Sequence, residues 1–492
     1  MNRSHASRFP LTVTGLAPPP DVRTQAGWPA PSADAWRARP SAAFTGYDLL
    51  VLATIVAQTW NLIRLPYLPI AISSALSITL VILVPQLFLK SLALVVRVPF
   101  LAALMATYLI QAASDSFLNL PFYYAAAATA RQFIGMSSII SFLGYMISHP
   151  CRPGRFLTVL LVLLAGSQMW FFGELRMPEL FVPIRAKLYA DTYIEESYER
   201  SLSALTIANG FRTGLTPRQH GLGYVSCGAL AYASLSLLLG YRGRKRLANA
   251  MLLFLAALSF ATLYYSLQRS AVLGAVAGLG LLYLGPFKAM MATRLPFVVG
   301  LIAVAVATIL PVAVSESSRI QADIVTKTIS AEDYGFRIGM QIQVLKLTAQ
   351  CPLGLRVSGK TWAEDGFQPL AERYDLGGMK PLAPHNGYLS VLLNYGWVGA
   401  AMVLTFLGSA ARLILRVVRF PADTPGFPSN VAAVLAASTF GLLFIQAMFH
   451  NASVMTREPV SMAFTALLGY LAIYRLSDGR SQRALDGGVG AR

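Results

Sequence analysis

Apolar runs of about twenty residues recur along most of this chain, and they leave it little choice of fold. A helix needs about 20 apolar residues to cross the hydrocarbon of a bilayer. Twelve runs approach that length, with centres near Ile55, Ser77, Ala106, Ser137, Leu163, Ala229, Ala257, Val276, Ala305, Val403, Leu435 and Leu467. The composition agrees: 55% of residues are hydrophobic and 13% are charged, against about 25% charged in a soluble domain. The expected fold is an all-α membrane protein with about twelve transmembrane helices.

The net charge of +18 is informative through its distribution. Lys and Arg in short loops mark the cytoplasmic side. With the N-terminus inside, the inner segments hold 22 basic residues, among them Arg152, Arg155, Arg294, Arg416 and Arg475. The short outer loops hold three: Arg64, Arg269 and Arg457. Both termini are therefore expected in the cytoplasm. Two long loops, about 174–216 and 315–385, fall outside, and the second carries eight basic and eight acidic residues. The basic excess is thus an orientation signal. No basic patch alternates with aromatics, so nucleic acid is not an expected partner. Cys151, Cys227 and Cys351 are widely spaced and form neither a disulfide framework nor a metal-ligand pattern.

Three segments follow from these readings. Residues 1–44, with "LAPPPDVRTQAGWPAPSADAWRARP", have no hydrophobic period and are expected to be a disordered cytoplasmic tail. They lack the charged-then-apolar layout of a removable signal peptide. Residues 45–476 form the membrane domain, and residues 477–492 a second cytoplasmic tail.

The octapeptide "GLRVSGKT" at 354–361 matches the phosphate-loop pattern G-x-x-x-x-G-K-[ST]. That loop needs a strand before it and a helix after it. "TAQCPL" precedes it and "WAEDGFQPL" follows. Pro352 weakens a strand, "AEDG" reads as a turn, and the segment lies on the outer side, away from cytoplasmic ATP. The match is expected to be fortuitous, although Lys360 is available to an outer phosphate.

Ionisable residues at span ends are more telling. Arg131 sits inside the outer end of the fourth span, where it either lines a cavity or snorkels outward. In "LYYSLQRSAVLGAVAGLGLLYL", Arg269 heads the eighth span. The helix N-terminus beside it favours anions, although such arginines also serve as interfacial anchors. In "PLAPHNGYLSVLLNYGWVGAAMVL", His385 and Asn386 head the tenth span, with Asn386 as its N-cap. Histidine takes a proton near neutral pH, yet a lone histidine at a helix start is commonly structural. Gly396, Gly399 and Ala400 offer small residues for close helix packing. In the second outer loop, Phe336, Met340, Val344 and Leu347 recur at helical spacing. A partial alternation also fits a strand, but the spacing favours an amphipathic helix on the membrane face that ends before Pro352. Arg337 lies near its start.

"PHNGYLSVLLNYGWVGAAMVL" resembles the histidine-asparagine motif of the O-antigen ligase and O-antigen polymerase family. "LQRSAV" and "YGFRIGMQ", each with its Arg, and the turn "CPLGLR" fall in the order that family shows. The similarity is best over about 205–410. Gln268-Arg269 departs from the frequent Ser-Arg pair. In "GFRTGLTPRQHGLGYVS", Gln219-His220 replaces the usual segment ending, which leaves the supporting roles of Arg212 and His220 open.

The resemblance implies a metal-independent, cofactor-free glycosyltransferase in the bacterial inner membrane. Its donor would be a polyprenyl-diphosphate-linked glycan at the periplasmic face, in O-antigen or exopolysaccharide assembly. The acceptor would be a glycan for a polymerase or lipid A-core for a ligase. Membrane lipid and other polysaccharide-assembly proteins are the further partners implied. His385 would be the general base, Arg269 and Arg337 the diphosphate ligands, and Arg212, Asn386, Lys360 and Arg131 supporting residues. A transporter or flippase is the competing class. It would show repeats and midplane polar groups, whereas no repeat relates the halves and the polar groups gather at one face.

Overall fold

The computed structural model describes residues 44–60, 72–117, 122–189, 214–216, 219–240, 246–266, 269–313, 331–374, 384, 386–450 and 452–489. The tail expected over residues 1–44 lies outside them up to residue 43. By internal packing the chain divides into Ala42–Leu476, which carries all that follows, and the terminal stretches Met1–Ser41 and Ser477–Arg492.

The N-terminal half contains α1 (Gly46–Thr59), α2 (Ile72–Leu83), α3 (Pro85–Val95), α4 (Pro99–Phe117), α5 (Phe122–Ser148), α6 (Arg152–Arg176) and α7 (Pro178–Tyr189). Then come α8 (Gln219–Leu239), α9 (Arg246–Ser266), α10 (Arg269–Leu282) and α11 (Lys288–Ala313). The second long loop supplies α12 (Ala331–Gln350), α13 (Leu355–Ser358) and α14 (Gln368–Arg373). The chain finishes with α15 (Gly387–Arg419), α16 (Ser429–Phe440) and α17 (Pro459–Val489). Among the described residues there is no strand beyond one isolated bridge between Thr424 and Phe427.

Each of the twelve expected span centres lies on a helix. By length and apolarity alone, six helices suffice to cross a membrane: α6, α8, α9, α11, α15, and α16 with its continuation to Met448. A seventh is reached if α2 and α3 count as one span, although they bend by 99° across Val84. Pro85 at the first position of α3 explains that break, because it removes a helical donor and disfavours a helical residue before it. Helices α1 and α10 have 14 residues each, or about 21 Å at 1.5 Å per residue, and fall short of the hydrocarbon thickness. The stretch expected as the first long loop begins with helical structure, which α7 carries to Tyr189. The tail expected at 477–492 is helical as far as Val489.

Burial separates the centre from the rim. The apolar window of α8 is 89% buried against neighbouring helices, whereas that of α11 is 11% buried. A helix so apolar and so exposed requires an apolar surrounding, which makes this a multi-pass membrane protein. Some buried polar side chains tie helices together. Gln58 of α1 donates to Ser77 of α2 at 3.0 Å and also to Ser138 of α5. Asp48, 1% exposed, accepts from Tyr145 at 2.9 Å and from Arg152 Nε at 3.2 Å.

Segments that the charge asymmetry assigns to one side also meet in space. Asp48 meets Arg152 and Arg155. Arg294 donates to the Leu238 carbonyl at 3.3 Å, and Arg475 to that of Phe420 at 2.5 Å.

Candidate functional site

The second long loop is docked through α12. Phe336, Met340, Val344 and Leu347 are all buried, so the helical spacing prevails over the strand alternative. Phe336 and Met340 pack on Phe367 and Leu370. Val344 and Leu347 pack with Leu355 and with Leu393 of α15. The helix therefore lies against the first turns of α15, and Arg337 is carried on its N-terminal third.

The docking point is a break in α15. Gly396 has φ 56° and ψ −139°, a conformation that only glycine adopts at low cost. The break frees the Trp397 amide, which donates to the Pro352 carbonyl at 2.8 Å. A Cβ on Gly396 would lie 2.0 Å from that same carbonyl oxygen. Gly396 thus admits the backbone of the loop, a different role from the helix-against-helix packing expected of it.

"GLRVSGKT" forms the turn that reaches this break. Gly354 has φ 89°, and its amide closes on the Cys351 carbonyl at 2.8 Å. A helix precedes the turn, and only the four residues Leu355–Ser358 follow as α13. Thr361 is already used: its hydroxyl caps the Glu364 amide at 3.2 Å. Its own amide donates to Asp365 at 2.8 Å. "AEDG", expected as a simple turn, is part of a π-helical turn over Trp362–Phe367. Lys360 is exposed. None of this is a phosphate loop.

Asn386 behaves as expected. Its side-chain oxygen accepts from the Tyr388 and Leu389 amides at 3.0 and 3.1 Å, capping α15. His385 and Arg212 lie outside the described residues. Arg269 is the first residue of α10 and Arg337 belongs to α12; the side chains of both, and of His220, lie outside the described residues. The next residue after Arg269 is well placed: Ser270 Oγ is 3.1 Å from His450 Nε2. Helix α15 packs against both α10 and α12, so the three segments that carry Arg269, Arg337 and Asn386 share α15 as a common support.

A cavity of ≈ 260 Å³ opens beside α15. Arg131, Arg356 and Arg457 line it, together with Gln111, Gln132 and Asn394. Ser390 lies one helical turn from Asn386 and Asn394 two turns, about 6 and 12 Å along the axis, and both face the cavity. Arg131, one of whose two readings is a cavity-lining residue, is among those that line it. Lys360 does not line it; Arg356, four residues earlier, does. The Arg356 guanidinium stands 5.6 Å from the centre of the Tyr395 ring.

Sequence reasoning misses Arg356, Arg457 and His450 as site residues. Arg457 registers there only as an orientation charge, and Arg356 is hidden inside the octapeptide. Its position on the outer loop, on the side assigned to Arg131 and Arg457, is the available signal.

Among the described residues no group of three or more His, Cys, Asp or Glu is arranged to hold a metal. Residues 252–404 match the family model described as O-antigen ligase. That region contains Arg269, Arg337, His385 and Asn386. No curated protein was found to match the chain. Over residues 252–404 the chain is similar to the O-antigen ligase family, and the match supports a glycosyltransferase of the ligase or polymerase type.

Proposed function

We propose that the protein transfers glycan from a polyprenyl-diphosphate carrier at the periplasmic face of a bacterial inner membrane, joining repeat units during O-antigen or exopolysaccharide assembly. The observation that carries this reading is that the family match over 252–404 contains all three polar segments, each supported by α15. The fold adds that Arg131, Arg356 and Arg457, all assigned to the outer side by charge asymmetry, line one cavity.

The chemistry is a direct displacement. His385, next to the α15 cap, takes the proton of the acceptor hydroxyl as that oxygen attacks the anomeric carbon. The bond from that carbon to the diphosphate oxygen breaks, and the diphosphate leaves with the electron pair. Charge grows on the leaving group, so Arg269 and Arg337, always protonated and able to grip phosphate oxygens in pairs, stabilise the transition state. The α10 N-terminus beside Arg269 adds a favourable dipole. With no covalent enzyme intermediate, the anomeric centre inverts. No metal or cofactor takes part in this scheme.

The description of the matched family favours a second reading, in which the acceptor is lipid A-core and the enzyme is a ligase. Lipid-linked oligosaccharides from a deletion strain separate the two. Single repeats accumulate on the carrier if the enzyme is a polymerase, and long chains accumulate if it is a ligase. A normal lipid-linked pool would exclude both.

A further inference from the structure

The arginine-lined cavity is not used by the chemistry above. Among the described residues its lining holds three guanidiniums and no carboxylate. Among the described residues neither Arg131 nor Arg457 makes an ion pair. Like charges gathered in one cavity repel, and an anion in their midst relieves that cost. The remaining lining is also rich in donors. Gln132 is 5% exposed and its side-chain oxygen has no hydrogen-bond partner; rotation of that amide presents two N–H donors to the same space. Asn394 and Ser390 add polar groups along the α15 stripe that begins at Asn386.

The chain also accepts strain to place Arg457. Its φ is 65°, and among the described residues no other non-glycine has a positive φ. That conformation is costly for a residue with a Cβ. The stem of Arg457 lies over Gly135 of α5, where a Cβ would be 2.8 Å from Arg457 Cγ. Gly135 is one turn from Arg131, so the absent side chain lets the second arginine lie beside the first. Burial, and the Arg131 charge behind it, push the Arg457 pKa below the usual arginine value.

We infer that this cavity, lined by arginines other than Arg269 and Arg337, is an anion site that holds a phosphate or carboxylate group carried by the glycan substrate. The inference rests on the glycan-transfer reading for the source of the ligand. The cavity itself stands on its own geometry. It begins one turn from the α15 cap, so it is placed to hold an acidic substituent of a sugar next to the one that reacts. Arginines bind carboxylate and phosphate groups through paired hydrogen bonds, which makes the cavity a determinant of which glycans are accepted.

The test is calorimetric binding to purified full-length protein in detergent, with inorganic pyrophosphate and glucuronate as separate probes. Arg356→Gln with Arg457→Gln is expected to weaken binding of at least one probe about tenfold or more, as loss of bidentate contacts requires. The pair Arg269→Gln with Arg337→Gln leaves that binding in place. Loss of glucuronate binding assigns the cavity to a sugar carboxylate, and loss of pyrophosphate binding to a phosphate group. If neither probe binds the wild type at millimolar concentration, or both bind the Arg356/Arg457 variant unchanged, the inference falls. Binding lost only in the Arg269/Arg337 variant removes the cavity site and supports the clamp. Binding lost only in the Arg356/Arg457 variant supports the cavity, and loss of glycan transfer in the Arg269/Arg337 variant tests the clamp separately. Gly135→Val, which displaces Arg457 without altering any arginine, is expected to weaken the same probe. Monodisperse elution and unchanged helical content of each variant show that the fold is intact.

Discussion

Gly396→Ala is expected to detach the second long loop from α15. The magnitude follows from the geometry. Alanine at φ 56° and ψ −139° sits in a region that costs about 1–3 kcal/mol for a residue with a Cβ. The new Cβ would also meet the Pro352 oxygen at 2.0 Å and the Gly354 amide at 2.6 Å. Ordinary contact begins at 3.4 Å, so the turn must retreat by about 1.4 Å for the closer of these atoms. The bond from the Trp397 amide to Pro352 is then lost, at a further cost of about 1 kcal/mol. A destabilisation of about 2–4 kcal/mol results. It is concentrated in α12, α13 and the Arg356 side of the cavity.

Gly408→Ala is the control. It lies in the same helix, and a Cβ there would meet nothing within 4 Å, so its effect is expected to stay within about 1 kcal/mol. The assay is limited proteolysis of detergent-solubilised protein, read at the loop, together with denaturant unfolding. Gly396→Ala should expose cleavage between α12 and α15 and lower stability, whereas Gly408→Ala should do neither. Equal protection and equal stability in the two variants would refute the docking account.

Asn386→Ala removes the acceptor for two amides at the start of α15 and should cost about 1–2 kcal/mol. Asn386→Asp retains the cap, and chemical unfolding of both variants checks this. Asp48→Asn leaves Arg152 and Arg155 beside a neutral partner, at an expected cost of about 3 kcal/mol for a broken buried pair; the yield of folded protein after detergent extraction and the unfolding midpoint report it. Glu458, just before α17, is fully buried, which pushes its carboxyl up to about 7 despite the amides of Val460 and Ser461. Its folded pKa stands above the unfolded value of 4.5, so its contribution is fully present below pH 4.5 and is lost as pH rises through about 7. Thermal midpoints measured across that window should fall with pH for the wild type and flatten in Glu458→Gln.

What was legible in the sequence was local. The period of Phe336, Met340, Val344 and Leu347 identified α12, because one buried face must repeat about every 3.6 residues. Asn386 announced itself as a cap, because a short polar side chain before an apolar run has few other uses. What was not legible depended on contacts far apart in the chain. Gly396 looks like any small residue in a span, and only the arrival of Pro352 shows why a side chain is excluded there. Arg131, Arg356 and Arg457 lie on three separate segments, and no spacing rule connects them. Helix length was also poorly marked: the apolar run through Val276 reads as a full span, while α10 ends at Leu282 after 14 residues.

Incubation of the purified protein with a defined polyprenyl-diphosphate-linked repeat unit tests the central claim most directly. The wild type should extend or transfer the glycan and release polyprenyl diphosphate, and His385→Ala, folded and present in equal amount, should release none. If the wild type instead moves the lipid-linked glycan across a liposome bilayer without breaking the bond to the diphosphate, the protein is a transporter and the account is contradicted.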